Sequence, residues 1–592
     1  MNIKKNLEQA YNFFQQNNLD AAELLLNKIL IKYPNNIDAL NNLSLIKIRK
    51  NLIDDAILLL KKSLEINPQL NNLKNLCLLY SQQKLWTNIL NSYDQYIKKI
   101  QYDYQLEILR ASALREIGKK EDAVSILDKI LYEKKDDINI YISYIYTLNY
   151  FNAYEKAEEI GNQAISKFPE SFIINFNHGI TYSNLEQPNK AITYLNKAKN
   201  LAKNENLFDL WITLSAQYIK THQIEEAQFC IDKCREIDQN NLIIKYQEGS
   251  LKTQSGDIVG AKEKLEEVLR EDQNHTEANY LLGLVYLKLG HYRQAMEHYR
   301  FRTKRIKEPF GYFDDFEHIE INKKSKLIIH WEQGIGDQII IFRLMNELID
   351  RVDEITYISK EKVLSIFKKN FPQIKYIEAD QSKEWLRKLN YNHSYIRLNL
   401  LSIMKYIDDI PKAISKSKYW IPDKIKKDIF LKEYKTHKKL IGLSWKSVNL
   451  QIGNDKSFSL KELIDELKDN DYEFINLQYG DVKEEINQIK ELFNINIKYI
   501  DELDYFNDIN GLASLVAICD EVITCSNITT HIAGSLGVST RLLLHKDRGK
   551  LWYWYDQKNN TSTWYPSVKI YNQNKNGEWG DVMKFVNNEL KK

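Results

Sequence analysis

No apolar run in this chain approaches the roughly 18 residues that a membrane-spanning helix needs. The polar opening MNIKKNLEQA has no secretory h-region either, so a soluble, cytoplasmic protein is expected. A field of one charge sign is also missing: 83 basic against 80 acidic residues leave +3 over 592 residues. That excludes the broad basic footprint of a nucleic-acid binder at the level of the whole chain. Cysteine is scarce, with five residues and no CxxC pair. Cys230 and Cys234 lie one helical turn apart, but two ligands alone do not make a structural zinc site. No metal site is expected.

What the chain does have is bulk and a period. Its 43% hydrophobic and 28% charged residues are ordinary for a globular protein, and its length calls for more than one core. Small residues recur at Ala22, Ala56, Ala123, Ala157, Ala191, Ala227, Ala261 and Ala295, mostly 34 residues apart. The 67-residue gap between Ala56 and Ala123 has room for one more copy, with Leu90 near the expected place. Pro34, Pro68 and Pro169 each follow their alanine by 12 residues. A period of this length signals stacked helical hairpins. Gly179, Gly249 and Gly283 let paired helices approach closely, and Tyr182, Tyr218 and Tyr286 follow three residues after the small position. Cys234 falls where neighbouring copies have Ala164 and Ala198, a packing position.

This pattern resembles the tetratricopeptide repeat family, with about nine copies over residues 1–300 and the third degenerate. One hairpin cannot bury its own apolar face, so the recurring tyrosines and leucines are read as core. The resemblance implies that the concave face binds a protein acceptor or partner. Asn41, Asn42, Asn75 and Asn177 are candidates to contact its backbone, although asparagine is abundant throughout.

Near residue 301 the pattern changes. Residues 301–325, basic and then aromatic, read as a junction. Strand-like runs then alternate with helical ones: KLIIHW (326–331), EITYIS (354–359), KYIE (375–378), KLIGLSW (439–445), YEFINLQ (472–478), IKYI (497–500), EVITCS (521–526) and TRLLLH (540–545). Such alternation predicts parallel sheets flanked by helices, with ligands at the carboxyl ends of strands. Three candidate loops lie at such ends. In the first, Gly334 and Gly336 permit a tight turn into a helix, while Ile339 stands where a dinucleotide fingerprint needs a third glycine. Asp337 there reads as a helix cap or as a general base on an incoming hydroxyl. The second carries Lys446, a surface lysine or a phosphate neutraliser. The third, SNITTHIAGSLG (526–537), offers Ser526, Asn527, Thr529 and Thr530 as hydrogen-bonding side chains and a helix N-terminus that suits a diphosphate. His531 orients a phosphate or ribose there, or packs. Ahead of the KLIGLSW run, residues 405–439 hold eleven lysines against five acidic residues, a solvated face or an attractor of anionic surfaces.

The ordered set EQGIGD, WK, INLQYGD (475–481), DINGLASLVAICDEVIT (508–524), HIAGSLG and WYPSVKIYNQ (564–573) resembles the heptosyltransferase-like glycosyltransferases of the two-lobed GT-B type. It is similar in particular to bacterial proteins that fuse tetratricopeptide repeats to such a domain, some of which glycosylate flagellin. The resemblance implies an acceptor-side lobe at 326–436 and a nucleotide-sugar lobe at 437–592. It implies Asp337 as base, and Lys446 with Ser526 to His531 as holders of the donor phosphates. Ser526 stands where many relatives have aspartate, and Lys456 where they tend to have arginine. The implied reaction is inverting transfer from a nucleotide-sugar, with no metal and no cofactor beyond that donor. The DxD string Asp469-Asn470-Asp471 precedes a strand and so lies at the wrong sheet edge. Two other readings stay open: a non-catalytic interaction scaffold with a degenerate transferase domain, and a sugar-nucleotide epimerase.

Overall fold

The computed structural model describes residues 3–203, 207–302, 319–389, 395–415, 420–448, 453–546, 550–555, 557–574 and 577–591. Backbone contacts divide the chain into two compact units, Met1–Gln239 and Asn240–Lys592. Most of the expected junction, residues 303–318, lies outside the described residues.

The first unit is a run of seven helical hairpins, from Ile3–Gln15 with Leu19–Lys32 to Phe208–Lys220 with Ile224–Ile237. The periodic alanines explain them. Ala22, Ala56, Ala123, Ala157, Ala191 and Ala227 are all fully buried between paired helices. Leucines four residues on, such as Leu60, Leu127 and Leu195, share that helix face and are fully buried too. At Gly179 a Cβ atom would come within 2.7 Å of Leu195, so the paired helices touch through a missing side chain. The degenerate third copy folds as Leu70–Gln82 with Trp86–Tyr96. Its alanine position is taken by Ile89, 1% exposed, and not by Leu90, which is only partly buried. The phase slips by one residue there.

The second unit opens with two more hairpins, Leu242–Ser255 with Ile258–Glu271 and Thr276–Lys288 with Tyr292–Tyr299. An α/β region follows. Its first sheet has strands β1 (Lys326–His330), β2 (Glu354–Ser359), β3 (Lys375–Glu378) and β4 (Tyr395–Asn399), all parallel, in the order β3-β2-β1-β4. The second sheet holds β5 (Lys439–Ser444), β6 (Tyr472–Asn476), β7 (Ile497–Lys498), β8 (Glu521–Cys525), β9 (Ser539–Leu544), β10 (Gln557–Lys558), β11 (Thr561–Ser562) and β12 (Val568–Asn572). Their order is β10-β11-β12-β9-β8-β5-β6-β7. The six strands from β12 to β7 are parallel, and β10 and β11 close one edge as an antiparallel hairpin. The chain is thus a helical-repeat array followed by an α/β region with two sheets. Strand order reverses at β1 in the first sheet and between β5 and β8 in the second, the switch points where such folds open a crevice.

The last hairpin is built into the α/β region. Tyr292 accepts a hydrogen bond from the Trp564 indole at 3.0 Å and packs edge-on against Trp552 and Trp564. Just past its end, Arg302 forks onto Glu332 at 2.8 and 3.0 Å, and both side chains are buried. Glu332 also accepts the Leu401 amide at 2.7 Å. This closed network anchors the first residue of the glycine loop.

Candidate functional site

The two switch points share one cavity of about 330 Å³. The first sheet contributes Gly334, Ile335, Gly336, Asp337 and Lys362. The second contributes Ser447, Val448, Lys456, Tyr479, Tyr505, Phe506, Ile509, Leu512, Ser526, Asn527, Ile528, His531, Leu551 and Tyr553.

Asp337 sits in the first turn of helix Ile335–Phe342 and accepts the Gly334 amide at 3.2 Å. That is a capping bond, and it holds the carboxylate in place. Protein atoms crowd the group, although its outer face keeps some contact with the cavity. Burial pushes its pKa up to about 6, against the opposing pull of the Gly334 amide and the Lys456 ammonium. Lys456 is 6% exposed, lines the cavity, and makes no hydrogen bond or ion pair among the described residues. Burial lowers its pKa, and Asp337 partly restores it. A buried ammonium without a tied counter-ion is costly unless something anionic meets it.

The loop after β8 divides its labour. Asn527 caps helix Ile528–Leu536 by accepting the Thr529 amide at 3.0 Å. Its amide nitrogen donates to Ser444 at 2.8 Å and to the Lys446 carbonyl at 3.0 Å. Thr529 donates to Ser444, and Thr530 donates to the Cys525 carbonyl. Both threonines are fully buried and lie outside the cavity lining, so their hydroxyls serve the fold. Ser526 reaches the cavity while accepting the Trp554 indole N–H at 3.0 Å. His531 is 3% exposed, shares a 3.1 Å hydrogen bond with the Tyr565 hydroxyl, and is ringed by Tyr553, Trp554 and Tyr565. Burial, with Lys456 nearby, drops its pKa to about 3. It is a neutral ring at neutral pH and offers no positive charge to a phosphate.

Lys446 behaves differently from the expectation. Its ammonium pairs with Glu485 at 2.7 Å and it does not line the cavity. Glu485 also takes the Trp445 indole N–H, so the WK turn is a fixed structural corner. Among the described residues the cations that line the cavity are Lys456, ten residues further on, and Lys362 from the first sheet. Gly336 has a specific reason to be glycine: a Cβ there would lie 2.6 Å from the His531 ring. The glycine loop and the helix after β8 meet at that point.

Beyond the cavity, Asn41 is spent inside its own unit, accepting from Ser63 and Asn72, and Asn177 is buried. Asn42 and Asn75 stay partly exposed. In the lysine-rich stretch, Lys426, Lys435, Lys438 and Lys439 are paired with Asp508, Asp520, Asp471 and Glu521, so it is not one free basic field. Among the described residues no group of His, Cys, Asp and Glu is placed to hold a metal ion, and no helix is long and apolar enough to cross a membrane.

Models of the tetratricopeptide repeat match residues 7–71, 174–205 and 252–300. The N-terminal hairpins are therefore tetratricopeptide repeats, joined in this chain to an α/β region. The chain is 25% identical over 281 residues to Protein FlbA of Caulobacter vibrioides, covering 44% of this chain and 45% of that protein. It is 24% identical over 173 residues to a TPR repeat-containing protein of Methanocaldococcus jannaschii, covering 29% of this chain and 30% of that one. The matched stretch spans less than half the length of either curated relative. A solved tetratricopeptide repeat protein from Parabacteroides merdae aligns with 42% of this chain and 98% of its own length, at 19% identity and a TM-score of 0.37.

Proposed function

We propose that the α/β region is an inverting glycosyltransferase that uses a nucleotide-sugar, and that the repeats present a protein acceptor to it. The observation that carries this reading is that Asp337 and Lys456 line the same cavity and influence each other's charge. At neutral pH a carboxylate with a pKa of about 6 is deprotonated yet basic enough to take a proton. Asp337 would accept the acceptor hydroxyl's proton as its oxygen attacks the anomeric carbon. The bond from that carbon to the phosphate oxygen breaks, and the leaving nucleotide gains charge. Lys456 and the first-turn amides of helix Ile528–Leu536 would meet that charge as it develops. Tyr479 and Phe506, whose ring centroids are 6.0 Å apart, offer an aromatic wall for the base. The scheme needs no metal and no further cofactor.

A second reading, an interaction scaffold with an inactive α/β region, is favoured by one fact: every family match falls on the repeats. A thermal-shift series with nucleoside mono- and diphosphates and their sugar conjugates separates the two. Saturation at a hundred times the dissociation constant adds about 2.7 kcal/mol to the folded state. The transferase reading expects a selective rise with one nucleotide, lost in Lys456→Ala and kept in Lys446→Ala. No rise with any nucleotide sinks it in favour of the scaffold.

A further inference from the structure

Gln333 precedes the first loop glycine, and its φ of 64° is left-handed. A residue with a Cβ keeps that conformation only where its surroundings hold it. Here the hold comes from the end of the last repeat. Upstream of Gln333, the buried Glu332 accepts both arms of the Arg302 fork at 2.8 and 3.0 Å and the Leu401 amide at 2.7 Å. Arg302 is fixed in turn. It donates to the Tyr299 carbonyl at 3.1 Å and to the Ser402 hydroxyl at 2.8 Å, and its guanidinium carbon lies 4.8 Å from the centroid of the Tyr299 ring. The Gln333 side-chain amide reaches the Tyr299 hydroxyl at 3.5 Å. Downstream, the Gly334 amide donates to Asp337 at 3.2 Å. A continuous path thus runs from the fork, through a left-handed residue and a capping amide, to a carboxylate that lines the cavity. Charge follows the same path: Glu332 acts to raise the Asp337 pKa, and Asp337 acts on Tyr299.

We propose that Arg302 and Glu332 are positioning residues for Asp337: their fork holds Gln333 left-handed, and the loop so held aims the carboxylate into the cavity. That Asp337 acts as a base rests on the transferase reading above; that the fork places it does not. The end of the repeat array then shapes the reacting geometry itself, apart from any acceptor the repeats present.

The test uses the full chain and reads how buried the Asp337 carboxylate is. The groups that act on it are Lys456, Glu332, and Tyr299 and Tyr553, which burial keeps protonated; neutral His531 lies against the neighbouring Gly336. Burial opposes the charged carboxylate, so Asp337→Asn should raise the free energy of unfolding at pH 7.5 and change it little at pH 4. Arg302→Lys keeps a cation beside Glu332 but cannot form the fork. In that background the Asp337→Asn gain at pH 7.5 should shrink by about half or more, because the carboxylate turns toward water. Adding Gln333→Gly removes the cost of the left-handed turn and should restore the gain, a rescue that a purely structural fork would not give. An undiminished gain in Arg302→Lys, or no rescue, overturns the positioning role. If Arg302→Lys does not fold, Ser402→Ala decides: it frees the guanidinium from one partner and should shrink the gain in the same direction, and an unchanged gain again overturns the role. Turnover is read in the same samples as nucleotide released from the nucleotide-sugar that gives a thermal shift. Arg302→Lys should lower kcat by about a hundredfold and leave KM nearly unchanged. Loss and rescue of the gain in a chain that turns over no nucleotide-sugar count against the transferase reading alone. Turnover with an undiminished gain in Arg302→Lys counts against the positioning role alone.

Discussion

The Gly334 amide that donates to Asp337 makes the bond any helix-capping aspartate accepts, and the carboxylate so held points into a cavity. An unfolded aspartate titrates near about 3.9, whereas Asp337 in the fold titrates at about 6. Between those values the native state binds more protons than the unfolded one, so stability falls as pH rises through that window and stays lowered above it. Asp337→Asn removes the penalty. It should raise the free energy of unfolding at pH 7.5 by on the order of 1 kcal/mol once solvent access is discounted, with little gain at pH 4. Transfer should be abolished while nucleotide binding persists, and retained turnover would free Asp337 from its role. In the unsubstituted chain, kcat/KM should rise through about pH 6 with a single protonation limb. His531 adds no second limb above pH 5, because its pKa lies near 3. Gly336→Ala tests the contact with His531: forcing a methyl group into that space should cost about 1–3 kcal/mol and weaken nucleotide binding. A fully stable, fully binding Gly336→Ala would show that the loop moves freely. The sequence singles out Asp337 and the two glycines through the turn they make. It does not single out Lys456 over Lys446, because which lysine faces a cavity depends on how a loop folds back, not on its distance from a strand.

At the scale of elements, the hairpin turns carry a second periodic signal. Asn17, Asn51, Lys84, Gly118, Asn152, Glu186, His222, Gly256 and Gly290 all adopt positive φ between paired helices. Glycine and asparagine tolerate that region; lysine, glutamate and histidine do so at a cost. Lys84→Gly, Glu186→Gly and His222→Gly should each raise stability by up to about 1 kcal/mol in urea denaturation, and a loss at all three would contradict the assignment. Helix positions were legible because apolar residues repeat every turn and every copy; the one-residue slip in the third copy, from Leu90 to Ile89, was not. Most strand positions were legible too, since EITYIS and KYIE coincide with β2 and β3. Strands β4 and β12 and the β10-β11 hairpin were not read. YIRLN and VKIYN interleave charged and polar residues with apolar ones, and only a neighbouring strand makes them strands.

For the whole molecule, the repeat period places a boundary near residue 300, but contacts group residues 240–299 with the α/β region. The reason lies in side chains: Tyr292 on Trp564, and Arg302 on Glu332, join the last hairpin to the glycine loop and the second sheet. A fragment 240–592 should therefore be monomeric and melt in one transition. A fragment 319–592 should aggregate, because it leaves Glu332 buried without its cation and exposes Trp552 and Trp564. Equal melting temperatures for the two fragments in size-exclusion-purified form would refute that grouping.

The sequence by itself determined the repeats, the alternation of strand and helix, and the loops at strand ends, because each follows from short-range periodicity and local backbone freedom. Only the tertiary structure decided which groups meet. It brought Asp337 and Lys456 to one cavity, turned Lys446 to Glu485, and spent Thr529 and Thr530 on the fold. Those outcomes depend on burial and on charges far apart in the chain, and no local pattern encodes them.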